Sequence, residues 1–167
     1  MRRFWAALGS LLFFVIAPGT LTVLIPWSIT GWHSRPAFLG LDALRVAGAA
    51  LVFLGLIAVV ESFVRFVWKG FGTPAPVAPP TRLVVTGLYR RVRNPIYVGL
   101  IAIVSGEALI LGDERMLVYA AILWLFFHVW VLALEEPGLA GSFGDEFATF
   151  KANVPRWIPR LTPWRPK

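Results

Sequence analysis

The fold class this sequence predicts is an all-α integral membrane protein with about four transmembrane helices and a C-terminal amphipathic interfacial helix. Three observations carry that expectation. The chain of 167 residues is 57% hydrophobic and only 15% charged, with a mean hydropathy of +0.71, more hydrocarbon than a soluble domain has interior to hide. The apolar residues fall into four runs, separated by tryptophans, prolines and charged residues. Of the 16 lysines and arginines, 13 lie on one side of the topology those runs imply, which by the positive-inside rule places both termini in the cytoplasm, at the inner membrane if the cell is prokaryotic.

Composition also removes several kinds of chemistry. There is no cysteine, which excludes disulfides, thiolate metal sites and a cysteine nucleophile. Two histidines, His33 and His128, are too few for a multi-histidine centre, so no metal is expected. The formal charge of +7 does not point to nucleic acid, because the basic residues are interleaved with spans and tryptophans instead of forming one face. Membrane lipids with anionic headgroups fit that distribution better. Oligomeric state leaves no trace in the sequence.

The first element follows Arg2-Arg3 and runs from Phe4 to Ile25, with a kink expected at Pro18. A cleaved signal peptide competes with this reading, but no small-x-small site ends the run and further spans follow. Pro26-Trp27 and Trp32 to Pro36 read as an interfacial loop, with His33 a solvated loop residue. A second span is expected from Leu41 to Phe66, with Gly48 and Ala49 allowing a neighbouring helix to come close. Glu61 and Arg65, four residues apart, read as an interfacial pair, with Glu61 as a pocket residue the sharper alternative. Trp68-Lys69 marks the water boundary, and Gly70 to Pro80 is a Pro/Ala-rich connector. The chain thus divides into a two-span region over 1–80 and a C-terminal region over 81–167.

The second region opens on TRLVVTGLYRRVRNPIYVG, Thr81 to Gly99. Three arginines (Arg90, Arg91, Arg93) lie between Tyr89 and Tyr97, and Asn94-Pro95 starts an apolar helix. Gly87 and Gly99 permit close backbone approach, Pro95 suits a first helical turn, and the free amides of that turn favour an anion. Such a segment suits a polar, partly anionic ligand at a membrane surface. From Ile96 to Leu111 and from Met116 to Leu134, two apolar runs separated by Gly112 to Arg115 form an antiparallel helical hairpin. The hairpin returns the chain to the arginine segment.

The fourth span is expected to end at Glu135-Glu136-Pro137, whose two carboxylates point about 100° apart. Upstream, Trp124, His128, Val131 and Glu135 share one helical stripe. A functional and a packed histidine are both open for His128, and Glu107 is a second buried carboxylate able to face it across the hairpin. After Gly138, Leu139, Phe143, Phe147, Phe150 and Val154 line one side of an amphipathic helix too polar to cross the membrane. It has a capping-box pattern at Ser142 and would lie as a lid over the site. Arg156 and Trp157 in the irregular tail are expected near the headgroups.

GLYRRVRNPIYVG, followed after one hairpin by EEPGLAGSFGDEFATFKANVPRWIP, resembles the isoprenylcysteine carboxyl methyltransferase family and its phospholipid methyltransferase relatives, over Arg82 to Pro159. The resemblance implies a membrane methyltransferase whose two motifs clasp S-adenosylmethionine at the cytoplasmic face and whose acceptor is a lipid-like or prenylated small molecule. It implies that Leu83, Val84, Gly87, Tyr89, Arg93, Asn94, Pro95, Tyr97 and Gly99 form one wall of the cofactor site. Glu135 and Glu136 form the other, with Arg156 nearby.

The residue types agree: aromatic rings suit a sulfonium, arginine a carboxylate, and a carboxylate the ribose diol or ammonium. The family's arginine motif usually has histidine where this chain has Asn94, which cannot become cationic or act as a base. A carboxylate acceptor would want Arg91, Arg93 or Arg156. A thiol or amine acceptor, as in thiol S-methylation or phospholipid N-methylation, would want Glu135 or His128 as base. An NADPH-dependent membrane reductase, using the arginines for a 2′-phosphate, and a non-catalytic lipid-binding protein are the alternatives.

Overall fold

The computed structural model describes residues 16–70 and 82–165, all helix and connecting loop with no strand among them. Helix α1 covers Ile16–Thr30. It is followed by α2 (Ala43–Gly70), a 3-10 turn (Gly87–Arg90), α3 (Pro95–Leu111), α4 (Glu114–Trp130), a π-helical turn (Val131–Glu135) and α5 (Glu136–Asn153). The N-terminal part of the first apolar run, the Pro/Ala-rich connector beyond Gly70 and Thr81 lie outside the described residues, as do the side chains of Trp68 and Lys69. Residues Ala43–Arg65 of α2 and the helical stretch Glu114–Asn153 are long and apolar enough to cross a membrane, whereas α1 and α3 are shorter.

Helices α2 and α3 run antiparallel and touch backbone to backbone. A Cβ added at Gly48 would sit 2.6 Å from the Gly106 carbonyl, and one at Gly55 2.7 Å from the Gly99 carbonyl. Only glycine permits that approach, which serves where lipid offers no hydrophobic drive for helices to associate. Val59, Leu100, Ile103, Val104 and Ala108 continue the contact into one core with Met116, Ala120, Leu123 and Phe127 of α4. The 1–80 and 81–167 regions therefore share a single interior. Helix α3 starts at Pro95 and ends on Gly112, whose φ of +68° suits a residue without Cβ. Asp113 caps α4, accepting from the Arg115 amide at 3.0 Å. The tight hairpin read from the sequence is there.

Two prolines expected to end helices do not. Pro26 was expected in a loop, yet α1 continues to Thr30 and stops at Gly31. The Glu135-Glu136-Pro137 stop is likewise crossed: α4 passes through Val131–Glu135 directly into α5. In both places a π-helical turn ends two residues before the proline. The Ile25 amide bonds the Thr20 carbonyl and the Glu136 amide bonds the Val131 carbonyl, five residues back. Widening the turn relieves the clash between a proline ring and the carbonyl four residues earlier, so the helix survives.

The real interruption comes at Gly144, with φ +47° and ψ −121°. Ser142 lies two residues before this break, within the helical stretch of α5. Beyond the break Phe147, Phe150 and Val154 are buried, with Leu139 and Phe143 packed beside them. They cover Leu83, Val85 and Trp164 of the same chain. The apolar stripe is thus spent on the segment before the arginines and on the tail.

Candidate functional site

The site lies where the N-terminus of α3, the α4–α5 junction and the C-terminal tail converge. Tyr97, in the first turn of α3, donates its hydroxyl hydrogen to Glu135 Oε2 at 3.0 Å. Its ring stacks on Phe127 with centroids 4.3 Å apart. The π-helical turn sets the direction in which Glu135 leaves the helix.

One residue on, Glu136 is buried and takes three cations. Arg93 Nη1 reaches Oε1 at 2.9 Å, Arg156 Nε reaches Oε1 at 2.6 Å, and Lys151 Nζ reaches Oε2 at 2.9 Å. Fifteen residues of straight helix would separate Glu136 and Lys151 by about 22 Å. Only the break at Gly144 allows that ion pair. Burial lowers the Arg93 guanidinium below its usual value, and Glu136 opposes that shift. The adjoining Tyr89 phenol is raised above its usual range, by burial first and then by the charges of Glu135 and Glu61. It stays a neutral donor.

The tail binds the arginine segment through backbone. The Arg93 amide bonds the Pro155 carbonyl at 2.9 Å, the Arg160 amide the Arg91 carbonyl at 2.9 Å and the Trp164 amide the Arg90 carbonyl at 2.8 Å. Arg90 Nε donates to the Trp164 carbonyl, and Arg91 Nη1 to those of Arg160 and Leu161. These two arginines, expected to hold an anion, fasten the tail instead. Asn94 is buried, and its amide nitrogen donates to the Arg156 carbonyl at 3.2 Å, so it too grips the tail.

Other expectations change with the geometry. Gly99 faces α2, where an added Cβ would lie 2.7 Å from Val59 Cγ2; its small size serves helix packing. Gly87, at φ +56°, lies directly over the Glu61–Arg65 ion pair, leaving no room for a side chain. Leu83 packs under α5 and Val84 is buried, while Pro95 begins α3. His128 Nδ1 bonds Trp157 Nε1 at 3.0 Å, and the ring stacks on Trp124. Because indole nitrogen only donates, Nδ1 is the acceptor of this bond. His128 thereby holds Trp157. Glu107 Oε2 is buried without a hydrogen bond to His128 or to any other described residue.

Sequence reasoning missed Lys151 as a partner of Glu136, Trp157 as a partner of His128, and the approach of Glu61 to Gly87. The only advance sign of the first was Gly144 ahead of an acidic pair. Four further buried polar atoms have no hydrogen-bond partner among the described residues, and all belong to this end of the helices: Glu61 Oε2, Ser62 Oγ, Thr86 Oγ1 and Arg93 Nε. Native proteins seldom leave such groups unsatisfied, so a cluster of them asks for a polar ligand.

A helical membrane protein with a composite acidic and basic site at one end of its bundle is the class this geometry defines. The family model for phospholipid methyltransferases matches residues 43–146, and the chain belongs to that family. It is 36% identical over 80 residues to a protein-S-isoprenylcysteine O-methyltransferase of Schizosaccharomyces pombe, covering 47% of this chain and 34% of the relative. It is also 36% identical over 88 residues to methanethiol S-methyltransferase 1 of Bradyrhizobium diazoefficiens, covering 53% of this chain and 28% of the relative. The chain thus matches about a third of the length of these relatives. No solved structure matches it significantly.

Proposed function

We propose that this protein is a membrane methyltransferase that uses S-adenosylmethionine to methylate a small lipid-like acceptor. The observation that carries the reading is the Tyr97–Glu135 hydrogen bond beside the Arg93–Glu136–Arg156 cluster. It unites the two sequence motifs on one surface. Among the described residues no ion pair reaches Glu135, so its charge complements a cation brought by the ligand. The unsatisfied Arg93 Nε suits a carboxylate, and the hydroxyl and carboxylate oxygens near Gly87 suit hydroxyl or ammonium donors. That donor and acceptor set fits the cofactor.

Bound there, S-adenosylmethionine supplies an activated methyl group. The chain's own part is to hold the donor, align it with an acceptor entering from the lipid and keep water out, which together lower the barrier to an in-line displacement. Tyr97 orients Glu135, and Glu136 fixes Arg93 and Arg156. A reductase reading loses support because Arg90, Arg91 and Arg156 are each already paired. Those pairings leave a 2′-phosphate poorly served.

A second reading concerns the acceptor. A carboxylate acceptor would meet the Glu135 charge and arginines already committed to Glu136. A thiol or amine acceptor must lose a proton, and Glu135 is a base within the site. The S-methyltransferase among the relatives agrees with a thiol. Calorimetric titration of the purified protein in detergent should show binding of S-adenosylmethionine and none of NADPH; the reverse result would end the methyltransferase reading. Methyl-labelled donor offered with a thiol, a prenylated thioether acid and phosphatidylethanolamine then names the acceptor by which product carries label.

A further inference from the structure

The first membrane-capable helix brings to the site a carboxylate that neither sequence motif contains. Glu61 and Arg65 form an ion pair one turn apart on α2, and the backbone of Gly87 lies directly on it. Glu61 Oε1 is occupied by Arg65, but Oε2 is buried and has no hydrogen-bond partner among the described residues. The neighbour of Gly87, Thr86, likewise keeps Oγ1 buried and unpaired.

The register of the helix pair puts these atoms level with the site. Gly48 meets Gly106 and Gly55 meets Gly99, so one further step of seven residues along α2 carries Ser62 past the Pro95 start of α3. Helix α2 also contacts the 3-10 turn that carries Tyr89, and both Glu61 and Glu135 act electrostatically on the Tyr89 phenol. An acceptor oxygen and a hydroxyl, both shielded from solvent, thus lie at the same end of the bundle as Glu135.

We propose that α2 supplies a third wall of the cofactor site, in which Glu61 Oε2 and the Thr86 hydroxyl together take a hydroxyl or ammonium donor of S-adenosylmethionine. This rests on the methyltransferase reading above. Gly87 lacks a side chain because the Glu61–Arg65 pair needs the space. The donor in question is common to S-adenosylmethionine and to its demethylated product S-adenosylhomocysteine, so the contact contributes to holding both.

The test is calorimetric titration of both nucleosides into the full chain in detergent, with ligand-free thermal unfolding measured beside it. Glu61→Gln is expected to weaken both by at least five-fold and by similar factors. Arg65→Gln, which breaks the same ion pair but keeps the carboxylate, should stay within two-fold of the parent. Thr86→Val removes a buried hydroxyl that has no partner, so it should raise the Tm of the ligand-free protein while weakening both ligands.

Unchanged affinity in a folded Glu61→Gln protein overturns the proposal, as does an equal loss in Arg65→Gln, which would make the pair scaffolding. Should Glu61→Gln fail to fold, Thr86→Val decides: a raised Tm with unaltered affinity overturns it. If the parent protein binds neither nucleoside, the methyltransferase reading and this inference fall together. If the parent binds and the variants bind equally well, only this inference falls.

Discussion

The two ends of the α3–α4 hairpin treat buried charge in opposite ways. At the Gly112 end, Asp113 is fully buried and its carboxylate receives Arg115 Nε at 3.0 Å, Arg115 Nη2 at 2.6 Å and Arg35 Nε at 3.3 Å. The Arg35 amide closes on the Leu111 carbonyl at 2.8 Å, and Arg45 Nη2 bonds the Arg35 carbonyl at 2.7 Å. None of the buried side-chain atoms that lack a partner among the described residues belongs to this loop. At the Pro95 end, Glu136 is satisfied three times over, but Glu61, Ser62, Thr86 and Arg93 each retain an unpartnered buried atom. One end closes on itself, and the other leaves polar atoms unpaired among the described residues, which the proposed ligand would satisfy.

Charge removal should separate the two. Glu136→Ala has the largest expected effect: it leaves Arg93, 10% exposed, without its counter-charge, and breaking a buried pair in this way costs about 3 kcal/mol. A lower unfolding midpoint and loss of ligand binding are both expected, since Arg93 and Arg156 lose the carboxylate that fixes them. Retention of both would show that Glu136 does not organise the site.

At the other end, Asp113→Asn should cost about 1 to 2 kcal/mol of stability with ligand affinity unchanged. Hydrogen bonding from Arg115 holds the Asp113 carboxyl below its ordinary value, so its contribution is present above the unfolded value of about 3.9 and disappears as pH falls through the lower folded value. The stability gap between parent and variant should therefore be constant near neutrality and close only in acid below about pH 4. A gap that widens as pH falls would contradict the burial and pairing described.

Within the open end, Glu135→Gln should weaken S-adenosylmethionine about 10-fold, or roughly 1.4 kcal/mol, and Tyr97→Phe less. Both should leave the unfolding midpoint nearly in place, as read by calorimetric titration beside a thermal scan. The smallest effect is expected from Trp157→Phe, which gives up one hydrogen bond to His128. About 1 kcal/mol of stability is at stake, with affinity little changed. A large loss of affinity there would return His128 to the chemistry.

Much of the helix order was legible because hydropathy and glycine punctuation are local. The α3–α4 hairpin, the helix start at Pro95 and the Glu61–Arg65 pair all follow from residues close in sequence. The two motifs and the hairpin between them were legible too, whereas the Tyr97–Glu135 hydrogen bond came from the tertiary structure. The failures share a cause. Pro26 and Pro137 read as stops because nothing in a proline says whether the preceding turn can widen. Arg90 and Arg91 read as ligand binders because the carbonyls they bind come from a tail some 70 residues later.

The amino-acid sequence by itself determined that the chain is helical and apolar, that its basic and acidic motifs flank one hairpin, and to which family it belongs, because periodicity, composition and motif order are properties of neighbouring residues. Tertiary structure alone decided which charges cancel and which remain available. Glu136 collects Arg93, Arg156 and Lys151 only after Gly144 turns the last helix back and the tail lies along the arginine segment. Glu135, one residue away, meets a phenol instead of a cation. Desolvation and pairing depend on distances through space, so two adjacent and chemically identical glutamates acquire different roles.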